Sequence, residues 1–538
     1  MNWVLKASLA ALMLLLAAAC GGGARGGASS NPPAAIQVFP VETLQASGDP
    51  SNRINLVVLG DGYTQQDQEK LTHDAQAWLA AFRGTAPYGN YAAYFNIKLV
   101  HVVSKEDGAG NGVHGFGVMR DTALGATFQN ASPAGQPPDF RLLVVDNALA
   151  QAVASAHAPE CTKVLVIVND TNYGGSGGAV PVFSVNPASC LIALHEFGHS
   201  FGGLADEYSC GDTSALQDAI EAYPNVTTRQ ALDQIKWNSW IQDGTPLPTP
   251  DTSTHLANPG LFEGAYYHDR GVYRPRHTCR MRSLHDAFCE VCGEAIVRGV
   301  YGRVSPIDSA LPASPVQVDA KSPLILSITH PVPNPNTLQV TWTVDGVATA
   351  GDEDSLTLPT GALKPGAHEI SVRLMDATPL VRTGRERLEQ VHTWTVTVAG
   401  DATPAPVIVK KREEHLLLRV IRDAAGFRVV DRQIVPLPLP LEPSQGSAAW
   451  QLEALGQDGQ VLHSQGIEDP NLLRGEFQNA ADPRRMDGYR LNGNRATSFL
   501  FRMPVMEAHR LEIFEKHRSG DGRRLRLGGV SLKEDSTP

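Results

Sequence analysis

The sequence lacks several features that would assign it to common classes of protein. It has no long basic run and its formal net charge is −11, so nucleic-acid binding is disfavoured. Neither a Gly-Lys-Ser/Thr motif nor a GxGxxG motif accompanies the glycine-rich segment Gly174–Gly178. A phosphate-binding loop is therefore excluded there, and we expect a mobile loop. No cysteine follows Cys292, so a disulfide in the C-terminal part of the chain is excluded.

The N-terminus lacks an apolar run long enough to cross a membrane. The apolar stretch Ala7–Leu16 follows the single charge of Lys6, and this short length is typical of a signal-peptide core. It leads into LAAAC, which ends at Cys20 and is similar to a bacterial lipoprotein cleavage site. We expect a signal peptide at 1–20, a lipid on Cys20 and a flexible linker at 21–36, which predicts an exported protein anchored to the bacterial cell envelope. An ordinary signal peptide cut nearby is the alternative.

The most informative segment is HEFGHSFGGLADEY, which runs from His195 to Tyr208. An α-helix turns roughly every 3.6 residues, so His195 and His199 lie one turn apart on one face and can bind one zinc ion. Glu196 follows the first histidine and is placed to take a proton from a zinc-activated water. This spacing predicts a site for metal-assisted peptide hydrolysis.

The third zinc ligand is less directly defined. In the metzincin pattern a glycine turns the chain and the ligand follows three residues later. Counting from Gly203 gives Asp206, whereas counting from Gly202 gives Ala205, which cannot bind metal. We therefore predict His195, His199 and Asp206 as ligands of one catalytic zinc, with Glu207 as the rival third ligand. Downstream, Met281 is the candidate for the methionine turn that lies beneath the zinc of a metzincin.

At this point the chain resembles the IgA-peptidase-type zinc metallopeptidases, secreted or surface proteins of bacteria. The resemblance covers roughly residues 40 to 305 and rests on the zinc motif, on the later CRM and FCEVC segments, and on INLVVLGDGYT, YFNIKLVHVVSKEDG and IKWNSWI. It implies a metzincin-like catalytic domain, with zinc on His195 and His199 and the general base at Glu196. Cleavage of immunoglobulin A does not carry over, because these motifs do not define the preferences of the cleft.

Cysteine usage fits an exported protein. Of seven cysteines, six remain once Cys20 is set aside, and an even number in an exported domain suggests disulfides. We predict a local Cys289–Cys292 bond and a Cys210–Cys279 bond that joins the zinc loop to the methionine turn. The competing interpretation is a second, structural zinc at the CxxC motif, which would require two more ligands.

The pattern of residues from 37 to 305 predicts an α/β fold. Helical periodicity predicts a helix over Gln65–Arg83. Ala179–Val185 is the candidate edge strand for aligning a substrate backbone. Candidate donors to a developing oxyanion are Tyr266, Tyr267 and Tyr273. Apolar runs predict strands at Ile54–Leu59, Asn96–Val103, Phe140–Val145 and Lys163–Asn169.

The composition changes from Ser314 onward. Alternating apolar and polar residues predict strands at Leu338–Gly346, His368–Asp376 and Val391–Gly400, which favours an immunoglobulin-like β-sandwich over 316–400. Strand-like runs continue to the end of the chain and predict a second β-rich domain over 401–538. Neither region offers a cluster of catalytic residues, so we interpret both as spacers or binding modules for unidentified ligands.

Together these features predict an α/β (α+β) metzincin-like zinc peptidase domain at 37–305, followed by two β domains. The predicted activity is zinc-dependent endopeptidase cleavage of protein or peptide substrates, without a nucleic-acid partner. Two alternatives stay open: a surface adhesin with a structural zinc site, and a zinc amidase that acts on cell wall.

Overall fold

The computed structural model of the chain describes residues 37–115, 117–130, 139–212, 216, 218–319, 322–359, 361–399, 415–423, 426–435, 449–467, 469–478, 486–492, 497–516 and 524–532. The predicted signal peptide at 1–20, the lipid site at Cys20 and the linker at 21–36 lie outside the described residues. Within the described ranges, no helix combines the length and the apolar character that a membrane crossing requires.

The N-terminal part of the described chain is built around an eight-stranded mixed sheet. Its strands lie in the order β1-β3-β2-β6-β8-β7-β5-β4, with β2 parallel to both β3 and β6. Every residue of β2 is buried, as expected for a central strand covered on both faces. The strands are β1 (Val41–Gln45), β2 (Ile54–Asp61), β3 (Phe95–Val100), β4 (Thr127–Gln129), β5 (Leu142–Val144), β6 (Lys163–Val168), β7 (Gly175–Ser176) and β8 (Val182–Ser184).

The sheet confirms the four predicted strands and corrects the predicted edge. β8 lies within Ala179–Val185, but it is flanked by the parallel strand β6 and the antiparallel strand β7. Its backbone is therefore already paired on both sides, and it cannot receive a substrate strand. The glycine-rich segment that precedes it supplies β7, so part of the predicted loop is a paired strand.

Within the part of the chain that the structure describes, four α-helices accompany the sheet, and the first has the predicted apolar face. Leu71, Ala75, Trp78 and Phe82 are buried along α1, as the periodicity indicates. The helix α3 is apolar on nearly all sides and almost wholly buried, which is expected of a helix inside the core. The helices are α1 (Gln68–Arg83), α2 (Asn147–His157), α3 (Cys190–Gly202) and α4 (Glu290–Tyr301).

A buried carboxylate organises the loop that faces the end of β2. Asp61 is 0% exposed and accepts hydrogen bonds from the hydroxyls of Ser104 and Thr122 at 3.0 and 2.9 Å. It also accepts from the backbone N–H groups of Leu124 and Ala126 at 3.0 and 2.8 Å. Four donors satisfy a charge that burial would otherwise destabilise, and they fix the chain between β3 and β5.

A hairpin follows the long segment after α3 and precedes the sheets of the C-terminal half. Residues 309–399 then form a three-stranded and a five-stranded sheet that share one apolar core around the stacked rings of Trp342 and Trp394. The strands are β9 (Phe262–Ala265), β10 (His268–Arg274), β11 (Ser309–Leu311), β12 (Val316–Asp319), β13 (Leu324–Thr329), β14 (Leu338–Val344), β15 (Val347–Thr349), β16 (Ser355–Leu358), β17 (Gly366–Asp376) and β18 (Glu389–Ala399).

The described residues from 415 onward are also β-structure. They contribute a three-stranded sheet, a four-stranded sheet and a hairpin of β23 and β24. The predicted strands at 338–346, 368–376 and 391–400 correspond to β14, β17 and β18. The remaining strands are β19 (His415–Asp423), β20 (Gly426–Val435), β21 (Trp450–Leu455), β22 (Val461–Ile467), β23 (Leu472–Gln478), β24 (Met486–Asn492), β25 (Thr497–Pro504), β26 (Arg510–Lys516) and β27 (Arg524–Ser531).

Candidate active site

Helix α3 carries the two histidines of the zinc motif on one buried face. His195 is 0% exposed and His199 is 4% exposed, and their Nε2 atoms lie 3.2 Å apart. The helix ends at Gly203, which adopts the left-handed conformation at φ 60°, favoured by glycine because it has no Cβ. Gly203 is therefore the turning residue, and Gly202 is still helical.

Hydrogen bonds to backbone carbonyls orient both imidazoles. His195 Nδ1 lies 2.9 Å from the carbonyl oxygen of Arg280, and His199 Nδ1 lies 2.7 Å from that of Leu204. A carbonyl only accepts, so each Nδ1 carries the hydrogen and each Nε2 presents a lone pair. Two lone pairs therefore face each other across 3.2 Å, which requires a cation or a proton between them.

The turn at Gly203 brings Asp206 back onto the two histidines. Asp206 Oδ1 lies 3.2 Å from His195 Nε2 and 3.3 Å from His199 Nε2. The hydroxyl of Tyr267 donates a hydrogen bond to the other carboxylate oxygen, Oδ2. Burial raises the pKa of Asp206, but when the imidazoles are also protonated at Nε2 the His199 charge and the hydrogen bonds of both histidines outweigh burial and hold that pKa well below its usual range.

Glu207 points away from this cluster. Its Oε1 accepts a hydrogen bond from the Asn225 side-chain amide at 2.9 Å and another from the Cys292 thiol at 3.0 Å. The structure therefore brings Asp206, rather than its neighbour, to the two histidines. Two imidazoles and one carboxylate whose lone pairs converge form a donor set that fits a divalent metal ion.

Glu196 is buried beside the histidines and against a glycine of the neighbouring loop. It is 1% exposed, and its ligand oxygen lies within 4.8 Å of the histidine nitrogens. A Cβ added to Gly177 would lie 1.8 Å from the Glu196 carboxyl carbon. Only glycine fits here, and it lets the carboxylate lie against the backbone that follows β7.

The segment around Met281 supports α3 from below. A Cβ on Gly198 would lie 2.7 Å from Met281 Sδ, so the thioether packs closely against the helix. The carbonyl of Met281 accepts a hydrogen bond from the backbone N–H of Glu207 at 2.7 Å, next to Asp206. This segment thus contacts both the helix and the loop after it, and its identity as a methionine turn stays a prediction.

The three tyrosines predicted as oxyanion donors have different surroundings. Tyr267 contacts the candidate metal site through its hydrogen bond to Asp206. Tyr273 accepts a hydrogen bond from the Gln230 amide at 2.8 Å, and Tyr266 packs against the ring of Tyr223. Sequence reasoning missed the roles of Gly177 and of Tyr267 toward Asp206, because both contacts join residues far apart in the chain.

The predicted disulfides are not formed. None of the six cysteines within the described residues is disulfide-bonded. Cys210 is exposed, whereas its predicted partner Cys279 is buried with Cys289 and Cys292. Neither the Cys210–Cys279 bond nor the Cys289–Cys292 bond is therefore present in the structure.

Comparison with known proteins identifies a family for the N-terminal part. The profile described as IgA peptidase M64 matches residues 42–259 and 252–300, the region that contains α3, Asp206 and Met281. Curated proteins provide no match to the chain.

Two solved structures show weak similarity. SGBP-B of the Bacteroides ovatus mixed-linkage glucan utilization locus, in complex with a mixed-linkage heptasaccharide, is 12% identical, with 42% of this chain and 48% of that chain covered and a TM-score of 0.13. The fibronectin(III)-like modules of Clostridium thermocellum CbhA are 15% identical, with 37% and 92% covered and a TM-score of 0.13. The match spans about half the length of the first structure. These scores support no inference about fold or function.

Proposed function

We propose that the chain is an exported, zinc-dependent endopeptidase of the IgA peptidase M64 family, whose model matches residues 42–259 and 252–300. One observation carries the proposal: His195 Nε2, His199 Nε2 and Asp206 Oδ1 converge within 3.3 Å, with a buried glutamate at their side. Zinc accepts this donor set and leaves its fourth position for water. The substrates are proteins or peptides.

The chain's own residues prepare the site for proton transfer. When bound, zinc supplies an acidified water and polarises the scissile carbonyl. Glu196 takes the proton of the attacking water and returns it to the leaving amine. Its burial against Gly177 holds the carboxylate in one place and excludes bulk water from it. The Nδ1 contacts of both histidines keep their Nε2 atoms available as ligands.

The architecture supports a finer assignment of the fold. We infer a metzincin-like catalytic domain over 37–305, because a turning glycine at Gly203 and a methionine segment at Met281 flank the zinc helix. We assign 316–400 to an immunoglobulin-like sandwich, since two sheets share its apolar core, and 401–538 to a second β-rich domain. A lipid on Cys20 would anchor the protein to the cell envelope.

Hydrolysis of a mixed protein substrate by the purified full-length protein tests the activity. We expect cleavage that a chelator abolishes and added zinc restores. Glu196→Gln should keep its zinc and lose at least about a hundredfold in rate, because a general base contributes roughly 10²–10⁴-fold. Glu69→Gln, at an exposed position of α1, is the matched control and should hydrolyse at the wild-type rate.

Two outcomes would redirect the proposal. Full activity of Glu196→Gln would remove the general-base mechanism. Cleavage of purified peptidoglycan without cleavage of casein-like proteins would instead identify a cell-wall amidase. Zinc binding with no hydrolysis of either substrate would favour the adhesin alternative.

A further inference from the structure

A second group of metal-binding side chains lies beside the candidate active site. Glu207, Cys279, Cys289 and Cys292 are all buried, and their ligand atoms lie within 4.8 Å of one another. We refer to these four residues as the thiol cluster. None of its members belongs to the histidine site, and the thiol cluster has the four donors of a closed structural zinc site.

The local backbone favours thiolates at this position. Cys289 is the N-cap of α4 and begins the CxxC motif that ends at Cys292. The positive end of the helix dipole therefore lies at these two sulfurs. The backbone N–H of Cys289 donates a hydrogen bond to Cys279 Sγ across 3.3 Å. Such contacts stabilise negative charge on sulfur, which metal binding requires.

A disulfide would account for the cluster less completely. It would join two sulfurs and leave the third thiol beside the carboxylate of Glu207, which is 0% exposed. Glu207 Oε1 accepts hydrogen bonds from Asn225 and Cys292, but the buried Oε2 has no hydrogen-bond partner, which is costly. A divalent cation would use all three sulfurs and the carboxylate together. Thiolate ligands select zinc over the harder cations.

We propose that Glu207, Cys279, Cys289 and Cys292 bind a second, structural zinc ion. Each ligand belongs to a segment that supports the histidine site. Glu207 follows Asp206 directly, and Cys279 precedes Arg280, whose carbonyl accepts from His195. Cys289 and Cys292 fix the start of α4, which packs against α3. The second zinc would therefore lock together the segments that position the first.

Metal analysis of the full-length protein tests this site independently of activity. We expect Cys292→Ser to contain one zinc equivalent less than the wild type. Cys161→Ser, at a buried cysteine outside the cluster, is the matched control and should retain the wild-type content. Glu207→Gln keeps the size of the side chain, and it should weaken zinc binding at this site at least about tenfold, because loss of an outer partner of a ligand already costs that much and Glu207 is a proposed direct ligand.

Cobalt substitution separates the two sites by spectroscopy. Cobalt in the thiol cluster gives intense thiolate-to-metal absorption, which should vanish in Cys292→Ser and persist in His199→Ala. The proposal is overturned if Cys292→Ser retains the wild-type zinc content, if this absorption is absent from the wild type, or if intact-mass analysis finds a disulfide among the three cysteines. If the thiolate-to-cobalt absorption is present but the histidine site binds no metal, the second zinc proposal stands and the proposed catalytic site does not.

A different observation concerns the loop beside Glu196. Gly177 pairs with Arg474 of β23 as an antiparallel bridge. The Gly177 N–H donates to the Arg474 carbonyl at 2.8 Å, and the Arg474 N–H donates to the Gly177 carbonyl at 3.3 Å. The guanidinium of Arg474 extends to within 3.9 Å of Glu196 Oε2. A strand of the C-terminal region is therefore bonded to the backbone beside the proposed general base.

From this pairing we infer that β23 occupies the place of an extended substrate and holds the enzyme in an inhibited state. A substrate strand would need the same backbone groups of Gly177. This second proposal rests on the proposed function.

Full-length Arg474→Glu tests the inhibition, since a like charge beside Glu196 should expel the strand. We expect about tenfold faster hydrolysis of a short peptide and about tenfold tighter binding of a peptide hydroxamate. Arg428→Glu, at an exposed position of β20, is the control and should match the wild type. Unchanged hydroxamate affinity in Arg474→Glu would overturn the inhibition. Tighter hydroxamate binding without hydrolysis would count against the proposed function alone.

Discussion

Tyr267 and Asp206 are joined by a buried hydrogen bond in which the tyrosine hydroxyl donates to carboxylate Oδ2. Asp206 Oδ1 faces the two histidines. The tyrosine therefore fixes which carboxylate oxygen faces the histidines, in the way that outer partners orient metal ligands. Because the Tyr267 hydroxyl already donates its hydrogen bond to Asp206, its first role is to position that carboxylate.

Tyr267→Phe should weaken zinc affinity at the histidine site by about 10- to 100-fold, because the carboxylate loses its orienting donor. Competition with a zinc chelator of known affinity measures this change. Tyr273→Phe is the control, since that hydroxyl bonds to Gln230 and its loss should leave zinc affinity unchanged. Equal affinities in the wild type and Tyr267→Phe would contradict the positioning role.

Replacement of Asp206 tests the choice of third ligand. Asp206→Ala should lose the zinc of the histidine site and its hydrolytic activity, because only two imidazoles would remain. Zinc content and activity are measured on the same preparation. If Asp206→Ala kept wild-type zinc affinity at the histidine site, and Glu207→Ala lost the zinc of that same site, Glu207 would be the third ligand instead.

Gly177→Ala should lower activity at least about a hundredfold without loss of zinc, because the new methyl group would overlap the Glu196 carboxyl, 1.8 Å away, and displace the proposed base. Gly293→Ala is the matched control, since a Cβ at that position of α4 meets nothing within 4 Å and alanine favours a helix by about 1 kcal/mol. The kcat of both variants, with zinc content determined in parallel, gives the comparison. A Gly177→Ala enzyme with normal kcat would show that Glu196 does not depend on this contact.

Asp61→Asn should lower the free energy of unfolding by about 1–3 kcal/mol, because an amide NH₂ would meet donors that a carboxylate accepts. The midpoint of urea unfolding measures the loss. Asp121→Asn is the control, since that side chain is 61% exposed and should leave the midpoint unchanged. A shift of similar size in both variants would refute the proposed role of the Asp61 network.

Much of the site could be predicted from the sequence because helical geometry is local. The spacing of His195 and His199 places both on one face of any α-helix, and the apolar run before them indicates a buried helix. The interval from Gly203 to Asp206 was also informative, since a left-handed turn requires glycine. The observed φ of 60° at Gly203 identifies which of the two adjacent glycines turns the chain.

The cysteines show where sequence reasoning reached its limit. Their even number suggests disulfides, and the competing interpretation, a zinc at the CxxC motif, requires two more ligands that local spacing does not identify. The structure supplies these as Cys279 and Glu207. Residues separated by about ten and eighty positions meet only once α4 packs on α3, and no local spacing encodes that contact.

The sequence by itself determined the helix that carries His195 and His199, the position of Glu196 on it, the resemblance to a peptidase family and the β-character of the C-terminal half. These features depend on local periodicity and short motifs. Only the tertiary structure decided that Asp206 rather than Glu207 meets the histidines, that β8 is an interior strand, and that Gly177 lies between Glu196 and β23. These facts depend on contacts between distant segments, whose geometry is set by the packing of the whole core.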